Sequence, residues 1–551
     1  MNFRPTSPAV PPPRASRATP LAASTAFVLL ALLLVPGVVG HEPWKPDEAY
    51  TFGLVHAMSR TGDWILPRLA GEPFVEKPPL FYALAALVSR LHRIAPLAEH
   101  DAARLATLAC MVVAVVFVAR AARALLGAGS GRWAAIGMTS CLGAVATEHA
   151  LVTDVALLAG FAIALDGLAR WPERPWSGGA TYGGGVGVAF LSKGLVGPAA
   201  LVLTLCALVC CPPHWRRRRL ACGCTMAVLV ALPFIVVWPT LLFVRAPEQF
   251  RIWLFDNNLG RFTGDSIATL GARQEPLLWI ETLPWFLLPS ALFIAATVRR
   301  GDAAILRRPV VVLPLAMLAS TCAILAASAS GRSVYALPLT APIGLLVAGR
   351  IRAFGLRLDD VATRAAWWFA GALVIVAWSG WLAHRAGLLG PAADAGEPVE
   401  APLLGALAVM AAVGAIRRRL SGVQGRSLAS WATCVGLGWG LAMTLWLPVI
   451  DASKSYRPML AAMAARLPPR RSCIASTGLG EPQRALLDYF QGIDTIRTEV
   501  ADASACTVWL VQLRRNAAPP VVAADWKPVW EGRRWRDGDL FTLYVRDADA
   551  P

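Results

Sequence analysis

The chain has 551 residues, of which 56% are hydrophobic and only 16% are charged. A soluble protein carries about 25% charged residues, so the composition excludes an ordinary soluble protein and indicates an integral membrane protein. The formal net charge of +17 does not indicate nucleic-acid binding, because the basic residues lie in short clusters between apolar segments, as in 215–219, 299–308 and 416–420. Such clusters are typical of cytoplasmic loops.

The N-terminal residues 1–20 are rich in proline and predict a disordered cytoplasmic tail. The apolar run at 21–40 follows Arg4, Arg14 and Arg17, as the apolar part of a signal peptide would. Its length of about 20 residues and the many apolar segments after it favour a retained first helix.

The apolar segments predict a mainly α-helical, polytopic membrane bundle of about thirteen transmembrane helices. With the N-terminus inside, alternation of these segments places every large basic cluster in the cytoplasm, as the positive-inside rule requires. The segments lie at 21–40, 102–122, 131–148, 153–170, 179–192, 194–212, 220–243, 277–298, 309–329, 333–349, 363–388, 400–416 and 428–448.

One apolar stretch, 78–94, is left out of that count, because counting it as a span would invert the location of every later arginine cluster. We predict that it forms a helix lying in or dipping into the outer interface. The first external loop then covers 41–101, and a second long external loop covers 244–276. Residues 21–450 would form the membrane domain that carries the chemistry.

The C-terminal region, 451–551, is also predicted to be external. Its pattern of short apolar strands around one helix predicts a small α/β domain. Two of the eleven cysteines, Cys473 and Cys506, fall in this region. They could form a disulfide in an oxidising compartment or remain two buried thiols, and the sequence leaves both possibilities open.

The external loops carry ionisable residues that a purely structural loop does not need. Carboxylates near the membrane surface, such as Asp47 and Asp154, can act as general bases toward a hydroxyl. Cations at headgroup depth can neutralise a lipid phosphate, and the candidates are Lys77, Lys193, Arg261 and Arg332. Together these residues suggest transfer of a group from a phosphorylated lipid to an external acceptor.

Simpler roles are also available to these residues. Asp47 could cap the helix that follows it, Glu76 and Lys77 could be a solvated pair, and Lys193 could reach out to the interface. His149 is more often structural than a ligand. Asp154 is harder to dismiss, because a carboxylate at the start of an apolar run is unfavourable unless it is paired or functional.

Several motifs occur in the order known from one family. They are "PDEAY" at 46–50, "SRTGDWILPRLAGEPFVEKPPLFYALAAL" at 59–87, the aspartate at 154, "FLSKGLVGPA" at 190–199, "NNLGRFTG" at 257–264, "ETLPWFLLP" at 281–289 and "GRSVYALPLTAP" at 331–342. This order resembles the ArnT-like and dolichyl-phosphate-mannose-type glycosyltransferases of the GT-C membrane class. The resemblance covers residues 20–350 well and the rest in outline.

The resemblance implies a sugar transferase of the bacterial inner membrane with its active site facing the periplasm. The donor would be a polyprenyl-phosphate-linked monosaccharide, and the acceptor lipid A, another envelope glycan or a protein hydroxyl, as in a protein O-mannosyltransferase. The C-terminal α/β domain would then be periplasmic. A flippase or transporter of lipid-linked sugars is the alternative from another class, but it would show internal repeats and charges near the midplane.

The resemblance also implies residue roles. Asp47 is expected to activate the acceptor with the help of Asp154, and Glu48 beside it is a further catalytic candidate. Lys77 is expected at the donor phosphate. The other residues expected to line the donor site are Glu76, Lys193, Arg261, Arg332 and Tyr335.

This chain departs from the family pattern at two places. Relatives often have a histidine near the position of Arg273 and Gln274, and it can bind a metal together with the glutamate matched by Glu76. Here no histidine lies between His214 and His384, which argues against a bound divalent metal and offers an arginine as the replacement charge. The second departure is Gly331, where relatives often carry lysine, so Arg332 is the main cation of that turn.

Overall fold

The computed structural model describes residues 19–210, 217–267, 273–297, 308–351, 356–388, 398–469, 472–515, 522–534 and 537–546. Residues 1–18 of the predicted tail at 1–20 and most of the basic cluster at 299–308 lie outside these residues. Each predicted spanning segment contains a helix, so the mainly α-helical architecture is confirmed. The helices are α1 (Ala23–Leu34), α2 (Asp47–Thr61), α3 (Leu80–Ser89), α4 (Glu99–Leu126), α5 (Ser130–Thr139), α6 (Leu142–Val145), α7 (Thr153–Arg170), α8 (Pro175–Lys193), α9 (Val196–Val209), α10 (Arg217–Arg245), α11 (Pro247–Arg251), α12 (Arg261–Thr263), α13 (Leu278–Phe286), α14 (Ser290–Thr297), α15 (Pro309–Ala327), α16 (Thr340–Arg350), α17 (Leu356–Arg385), α18 (Glu400–Arg419), α19 (Arg426–Ala442), α20 (Leu447–Lys454), α21 (Arg457–Ala464) and α22 (Glu481–Gln491).

Among the described residues, 6 helices are long and apolar enough to cross a membrane, or up to 8 if each of two bent pairs forms one span. The bent pairs are α13 with α14, at 83°, and α19 with α20, at 63°. Several other helices in the predicted segments are shorter than a bilayer crossing requires. The figure of about thirteen spans therefore stays a prediction.

Helices α7 and α8 pack so closely that their contact surface admits only small residues. A Cβ atom added at Gly160 would lie 2.8 Å from the backbone nitrogen of Ala189, and one added at Gly185 would lie 2.5 Å from that of Ala164. Small residues allow such close approach between helices in membranes. The start of α7 and the end of α8 are thereby held side by side.

The first loop, 41–101, contains the helices α2 and α3. Between them lies an antiparallel hairpin of two short strands, β1 (Arg68–Leu69) and β2 (Glu72–Pro73). Helix α3 has 10 residues, which corresponds to about 15 Å. A hydrocarbon core is about 30 Å thick, so α3 is too short to cross it. This length agrees with the prediction that 78–94 does not span.

The second long loop is more regular than the sequence indicated. It continues from α10 through α11, a π-helix over Ile252–Gly260 and the short α12. Arg245 at the end of α10 donates two hydrogen bonds of 2.8 Å to the Asp63 carboxylate of the first loop. The two loops therefore lie at the same end of the bundle, which we call the loop face.

The C-terminal region adds a five-stranded sheet at the loop face, in the order β4-β3-β5-β7-β6. Strand β3 is parallel to β4 and β5, whereas β7 is antiparallel to β5 and β6. The strands are β3 (Ile474–Thr477), β4 (Ile496–Arg497), β5 (Val508–Leu513), β6 (Trp526–Gly532) and β7 (Leu540–Arg546). The predicted mixture of short strands and a helix is present, and the boundary at 451 remains a prediction.

A disulfide joins Cys473 and Cys506, whose Cα atoms are 4.7 Å apart. The two residues come just before β3 and β5, which pair with Ile474 opposite Val508. The strand pairing therefore brings the two thiols together, and the disulfide is the alternative that the structure adopts.

Helix α22 of this region packs directly on α2. A Cβ added at Gly53 would lie 2.5 Å from the Cβ of Ala485, and Arg484 forms an ion pair of 2.8 Å with Glu72. The C-terminal sheet is thus attached to the same loop that carries Asp47 and Lys77.

Candidate active site

Three ion pairs gather the predicted site residues at the loop face, and each joins segments far apart in the chain. Asp47, the first residue of α2, pairs with Arg332. Glu76 pairs with Arg261 of α12. The third pair, Asp154 with Lys193, joins the start of α7 to the end of α8.

Lys77 lies among these pairs. Its Nζ donates a hydrogen bond of 2.6 Å to the Tyr50 hydroxyl and lies 3.8 Å from Glu76 Oε2. Burial by itself raises the pKa of Glu76, but the charges of Lys77 and Arg261 outweigh it and lower the pKa to about 2. Burial opposes the charge on Lys77, and Glu76 more than offsets it, so the pKa of Lys77 is raised. Both groups are therefore charged at neutral pH.

A cavity of about 80 Å³ adjoins these cations. Lys193 enters it with Nζ 3.4 Å from the centre of the Tyr335 ring, a cation–π contact. The polar and aromatic side chains that line the cavity include Glu76, Lys77, Lys193, Asn257, Asn258, Arg261, Ser328, Ser330 and Tyr335.

Two local features hold the cations in position. Gly194 has a φ of 67°, and a Cβ there would collide with Asn258 Oδ1, which accepts a 3.1 Å hydrogen bond from the Leu195 nitrogen. This contact ties the end of α8 to the π-helix that leads to Arg261. At Gly331, a Cβ would lie 2.7 Å from Gln274 Oε1 and 2.7 Å from a side-chain carbon of Leu278, so a lysine at this position would require these side chains to shift.

The structure decides between some of the simpler roles considered above. The side chains of Glu76 and Lys77 are only 13% and 12% exposed, so they are not a solvated surface pair. The Asp47 carboxylate engages Arg332 across 285 residues of sequence. His149 is structural, because Nε2 lies 2.7 Å from the Leu33 carbonyl and its ring stacks on Trp439.

Glu48 lies apart from this cluster. Its Oε1 accepts hydrogen bonds from Arg104 Nε at 2.7 Å and from the Leu151 nitrogen at 3.2 Å, and its Oε2 accepts one from the Trp44 nitrogen at 3.1 Å. Burial raises the pKa of Glu48, but the Arg104 charge outweighs it and lowers the pKa to about 2. These contacts favour a role in holding the start of α2, and the catalytic role of Glu48 stays a prediction.

Sequence reasoning missed two residues of this region. Tyr50 follows Asp47 by three residues, one helical turn, so the helix period placed it on the same side of α2. The sequence indicated Arg104 more weakly: an arginine within an apolar helix needs polar or charged partners. It is fully buried and also donates to Asp101 Oδ1 at 2.7 Å and to the His41 carbonyl at 2.8 Å.

The residues around Glu76 do not fit a divalent metal. Within the described ranges, no three His, Cys, Asp or Glu side chains come together as a metal site would require. Glu76 is instead flanked by Arg261 and Lys77, and two cations repel a third. The arginine beside Glu76 is Arg261, whereas Arg273 is exposed and pairs through its backbone with Ser330. Replacement of a metal's charge by an arginine stays a prediction.

Comparisons with known proteins agree with this picture. A sequence model of the family described as "Dolichyl-phosphate-mannose-protein mannosyltransferase" matches residues 76–242. A protein of Edwardsiella ictaluri, named undecaprenyl phosphate-alpha-4-amino-4-deoxy-L-arabinose arabinosyl transferase, is 27% identical over 341 residues, which are 60% of this chain and 59% of the relative. A protein of the same name from Pseudomonas aeruginosa (strain LESB58) is 29% identical over 353 residues, 62% of this chain and 61% of the relative. The match thus spans about three fifths of the length of these curated relatives.

Solved structures extend the likeness to nearly the whole chain. The crystal structure of ArnT from Cupriavidus metallidurans bound to undecaprenyl phosphate has a TM-score of 0.69 at 17% identity, over 94% of this chain and 97% of that one. The apo structure of the same protein has a TM-score of 0.67 at 18% identity, over 96% and 98%. These findings confirm the predicted resemblance to ArnT, and the chain shares the fold of that protein over nearly its whole length.

Proposed function

We propose that this ArnT-like chain is a membrane glycosyltransferase. It moves a monosaccharide from a polyprenyl-phosphate donor to an acceptor at the periplasmic face of the bacterial inner membrane, such as lipid A or another envelope glycan. The observation that carries the proposal is the convergence of Lys77, Lys193 and Arg261 on one cavity at the loop face. The names of the arabinosyl transferase relatives and the undecaprenyl phosphate bound to the similar ArnT structure support the donor class.

The cations serve the leaving group. When the bond between C1 of the sugar and the phosphate oxygen breaks, its electron pair stays on the phosphate, and the phosphate gains negative charge. Lys77 and Arg261 are already charged and held in place by Glu76 and Tyr50. Preorganised charges of this kind stabilise a transition state without reorganising during the reaction.

The carboxylates serve the acceptor. As the acceptor oxygen forms its bond to C1, its proton must move to a base, and Asp47 is the leading candidate. Arg332 orients the Asp47 carboxylate. Asp154, held by Lys193, is a second carboxylate on the same side and is proposed to orient the acceptor.

The proposed location is supported by two features. The disulfide between Cys473 and Cys506 fits an oxidising compartment such as the periplasm. The basic clusters between the apolar helices fit cytoplasmic loops on the opposite side. Membrane lipids would therefore surround the helices, and the lipid-linked donor would reach the loop face from the outer leaflet.

The test uses a deletion strain complemented with variants of the full chain. Mass spectrometry of lipid A, envelope glycans and polyprenyl-linked sugars should show that the strain loses one sugar modification and accumulates the lipid-linked monosaccharide. Wild-type protein should restore the modification, and Asp47→Asn should not, although it is inserted at the wild-type level. Glu248→Gln is the matched control, because Glu248 is exposed on α11 and pairs only with Arg251 among the described contacts.

The donor site is tested separately by binding of undecaprenyl phosphate to the purified protein. Arg261→Ala should weaken binding by at least about tenfold, because it removes a charge-assisted contact worth roughly 1.5–3 kcal/mol. Arg251→Ala, nearby in the same loop but 67% exposed, should leave binding unchanged. Equal affinities of the two variants, or normal sugar transfer by Asp47→Asn, would contradict the proposed roles.

A further inference from the structure

We infer that the helix bundle binds one acyl chain of an anionic phospholipid in an apolar cavity remote from the donor site, with the lipid head group at Arg357 and Arg364. The cavity has a volume of about 640 Å³ and lies between α6, α14, α17 and α19. Among the described residues, its lining has no member in common with the lining of the donor cavity. The inference therefore adds a lipid site to the proposed enzyme and does not depend on its catalytic function.

The lining of the cavity is almost entirely apolar, and several of its polar side chains are engaged by the protein itself. Cys434 Sγ lies 3.0 Å from the Ala366 carbonyl, and Trp439 Nε1 donates a 2.7 Å hydrogen bond to the Pro36 carbonyl. Ser427 donates its hydroxyl to a buried carboxylate at 2.5 Å. Water in a cavity needs about 2–4 polar partners, so a hydrocarbon chain suits this lining better than water.

The cavity runs along α19 from the end of the bundle opposite the loop face. Helix α20, which follows α19, accepts a 2.8 Å hydrogen bond at Asp451 Oδ1 from Trp44 Nε1 of the first loop, so α19 begins at the opposite end. The lining residues of α19 extend from Ser427 to Trp439, and these 12 residue steps correspond to about 18 Å of helix. One leaflet of the hydrocarbon core is about 15 Å thick. The cavity therefore matches an acyl chain of the leaflet opposite the loop face, which is the cytoplasmic leaflet in the proposed orientation.

The cavity is open to the surroundings of the bundle. Leu292, Leu358 and Phe369 line it and are 62%, 46% and 48% exposed. The first of these residues belongs to α14 and the other two belong to α17, and these helices face each other across the cavity. A lipid chain from the bilayer can therefore enter sideways between them, without passing the loop face.

Two arginines of α17 account for the charge of the lipid. Leu358 and Ala362 line the cavity, Arg357 directly precedes the first of them, and Arg364 follows the second by two residues. Both arginines are exposed, and within the part of the chain that the structure describes neither forms an ion pair. Arginines near the cytoplasmic membrane surface attract anionic head groups, and a guanidinium donates well to a phosphate. The site should therefore prefer phosphatidylglycerol to a zwitterionic phospholipid.

An acyl chain in this cavity would support the break between α13 and α14. Leu288 and Pro289 at the break line the cavity. The Leu288 carbonyl accepts a 2.7 Å hydrogen bond from the nitrogen of Leu142, the first residue of α6. Helix α6 leads to the start of α7, where Asp154 lies. The lipid would thus pack against the segment that precedes this carboxylate.

The first test measures lipid retention by native mass spectrometry. The full-length protein is delipidated in detergent and incubated with phosphatidylglycerol or with phosphatidylcholine of the same acyl chains. Wild type should retain one phosphatidylglycerol molecule per protein, and Gly438→Phe should lose it. Gly438 lines the cavity, and a Cβ there would meet only Leu373 Cδ1, at 3.7 Å, so the added ring has room to occupy the space of the chain. Gly371→Phe is the matched control, because a Cβ at this exposed position of α17 meets nothing within 4 Å.

A charge variant tests the head group. Arg357→Gln combined with Arg364→Gln removes both cations and leaves the apolar lining intact. Each arginine near the surface is expected to favour an anionic lipid by about fivefold, so the double variant should bind phosphatidylglycerol and phosphatidylcholine nearly alike. Arg251→Gln, exposed at the loop face, should keep the preference of the wild-type protein.

Photolabelling locates the chain in the wild-type protein and needs no variant. Phosphatidylglycerol with a diazirine in one acyl chain should label peptides containing 288–296, 358–373 and 431–439. Labelling confined to other peptides, equal retention by Gly438→Phe and Gly371→Phe, or equal binding of the two phospholipids by wild type would overturn the inference. Displacement of the label by undecaprenyl phosphate would assign the cavity to the chain of the donor and would overturn it as well.

Discussion

Replacing Glu76 with glutamine is expected to lower the free energy of unfolding by about 3 kcal/mol at neutral pH. Glutamine keeps the size of the side chain and mimics its protonated form. The change leaves Lys77 and Arg261 facing each other without the carboxylate that lies between them. Removing one partner of a buried ion pair typically lowers stability by about 3–5 kcal/mol.

The magnitude follows from the pKa of Glu76. Lys77 and Arg261 overcome the effect of burial and lower this pKa from 4.5 to about 2. Each pKa unit corresponds to about 1.4 kcal/mol, so the folded protein favours the ionised form by about 3 kcal/mol. The side chain is 13% exposed, so solvent screening reduces this figure only slightly.

The sign of the pH dependence follows from the same shift. A depressed carboxyl pKa stabilises the folded state above the unfolded pKa of 4.5, and this contribution is lost as the pH falls from 4.5 toward 2. The glutamine variant has no such group. It should therefore lose stability relative to wild type at pH 7, and the difference between the two proteins should shrink below pH 4.5.

The assay is denaturant unfolding of the purified full-length protein in detergent, at pH 7 and at pH 4. Arg261→Ala and the double variant complete a double-mutant cycle, which should yield a coupling energy of about 1–3 kcal/mol at pH 7. A Glu76→Gln protein as stable as wild type at pH 7, with no coupling to Arg261, would refute the reasoning.

Three further changes test how the loop face is held together. Arg104→Met should lower the free energy of unfolding by about 3–5 kcal/mol, because it leaves the buried Glu48 carboxylate without its cationic partner. Arg104→Lys should lower it less. Equal thermal midpoints of Arg104→Met and wild type would contradict this. Gly53→Leu forces a side chain against Ala485, where a Cβ already lies 2.5 Å away, so limited proteolysis should release the C-terminal sheet sooner; unchanged proteolysis would mean that the contact is not needed. Replacing Cys473 and Cys506 by serine removes a disulfide between residues 33 positions apart and should lower the stability of the sheet by about 3–4 kcal/mol. The measurement is the rate of proteolytic cleavage of the sheet under native conditions. Equal cleavage rates with and without the disulfide would disprove this estimate.

Much of the fold could be predicted from local composition. Apolar runs of spanning length located the helices, because a membrane segment must satisfy its backbone within one helix. The short alternating strands of the C-terminal region were equally visible. The helical character of the second long loop could not be predicted in this way, because its regularity depends on contacts such as that of Asn258 with the segment after α8.

The candidate site was only partly predictable. The ionisable residues of the external loops stood out against an apolar chain, and Lys77, Lys193, Arg261 and Tyr335 do line one cavity. Which carboxylate meets which cation was not predictable, because Asp47 with Arg332 and Glu76 with Arg261 are joined across 285 and 185 residues. Glu48 and Asp47 are neighbours in sequence, yet the helix directs the first toward Arg104 and the second toward Arg332.

The sequence by itself determined that this is a helical membrane protein with its ionisable loop residues gathered on one side. Hydropathy and charge act locally, so a linear pattern is sufficient to show them. Only the tertiary structure decided the three ion pairs and the disulfide. These features depend on distances between segments that are 33 to 285 residues apart in the chain, and such distances follow from helix packing such as the close contact of α7 with α8.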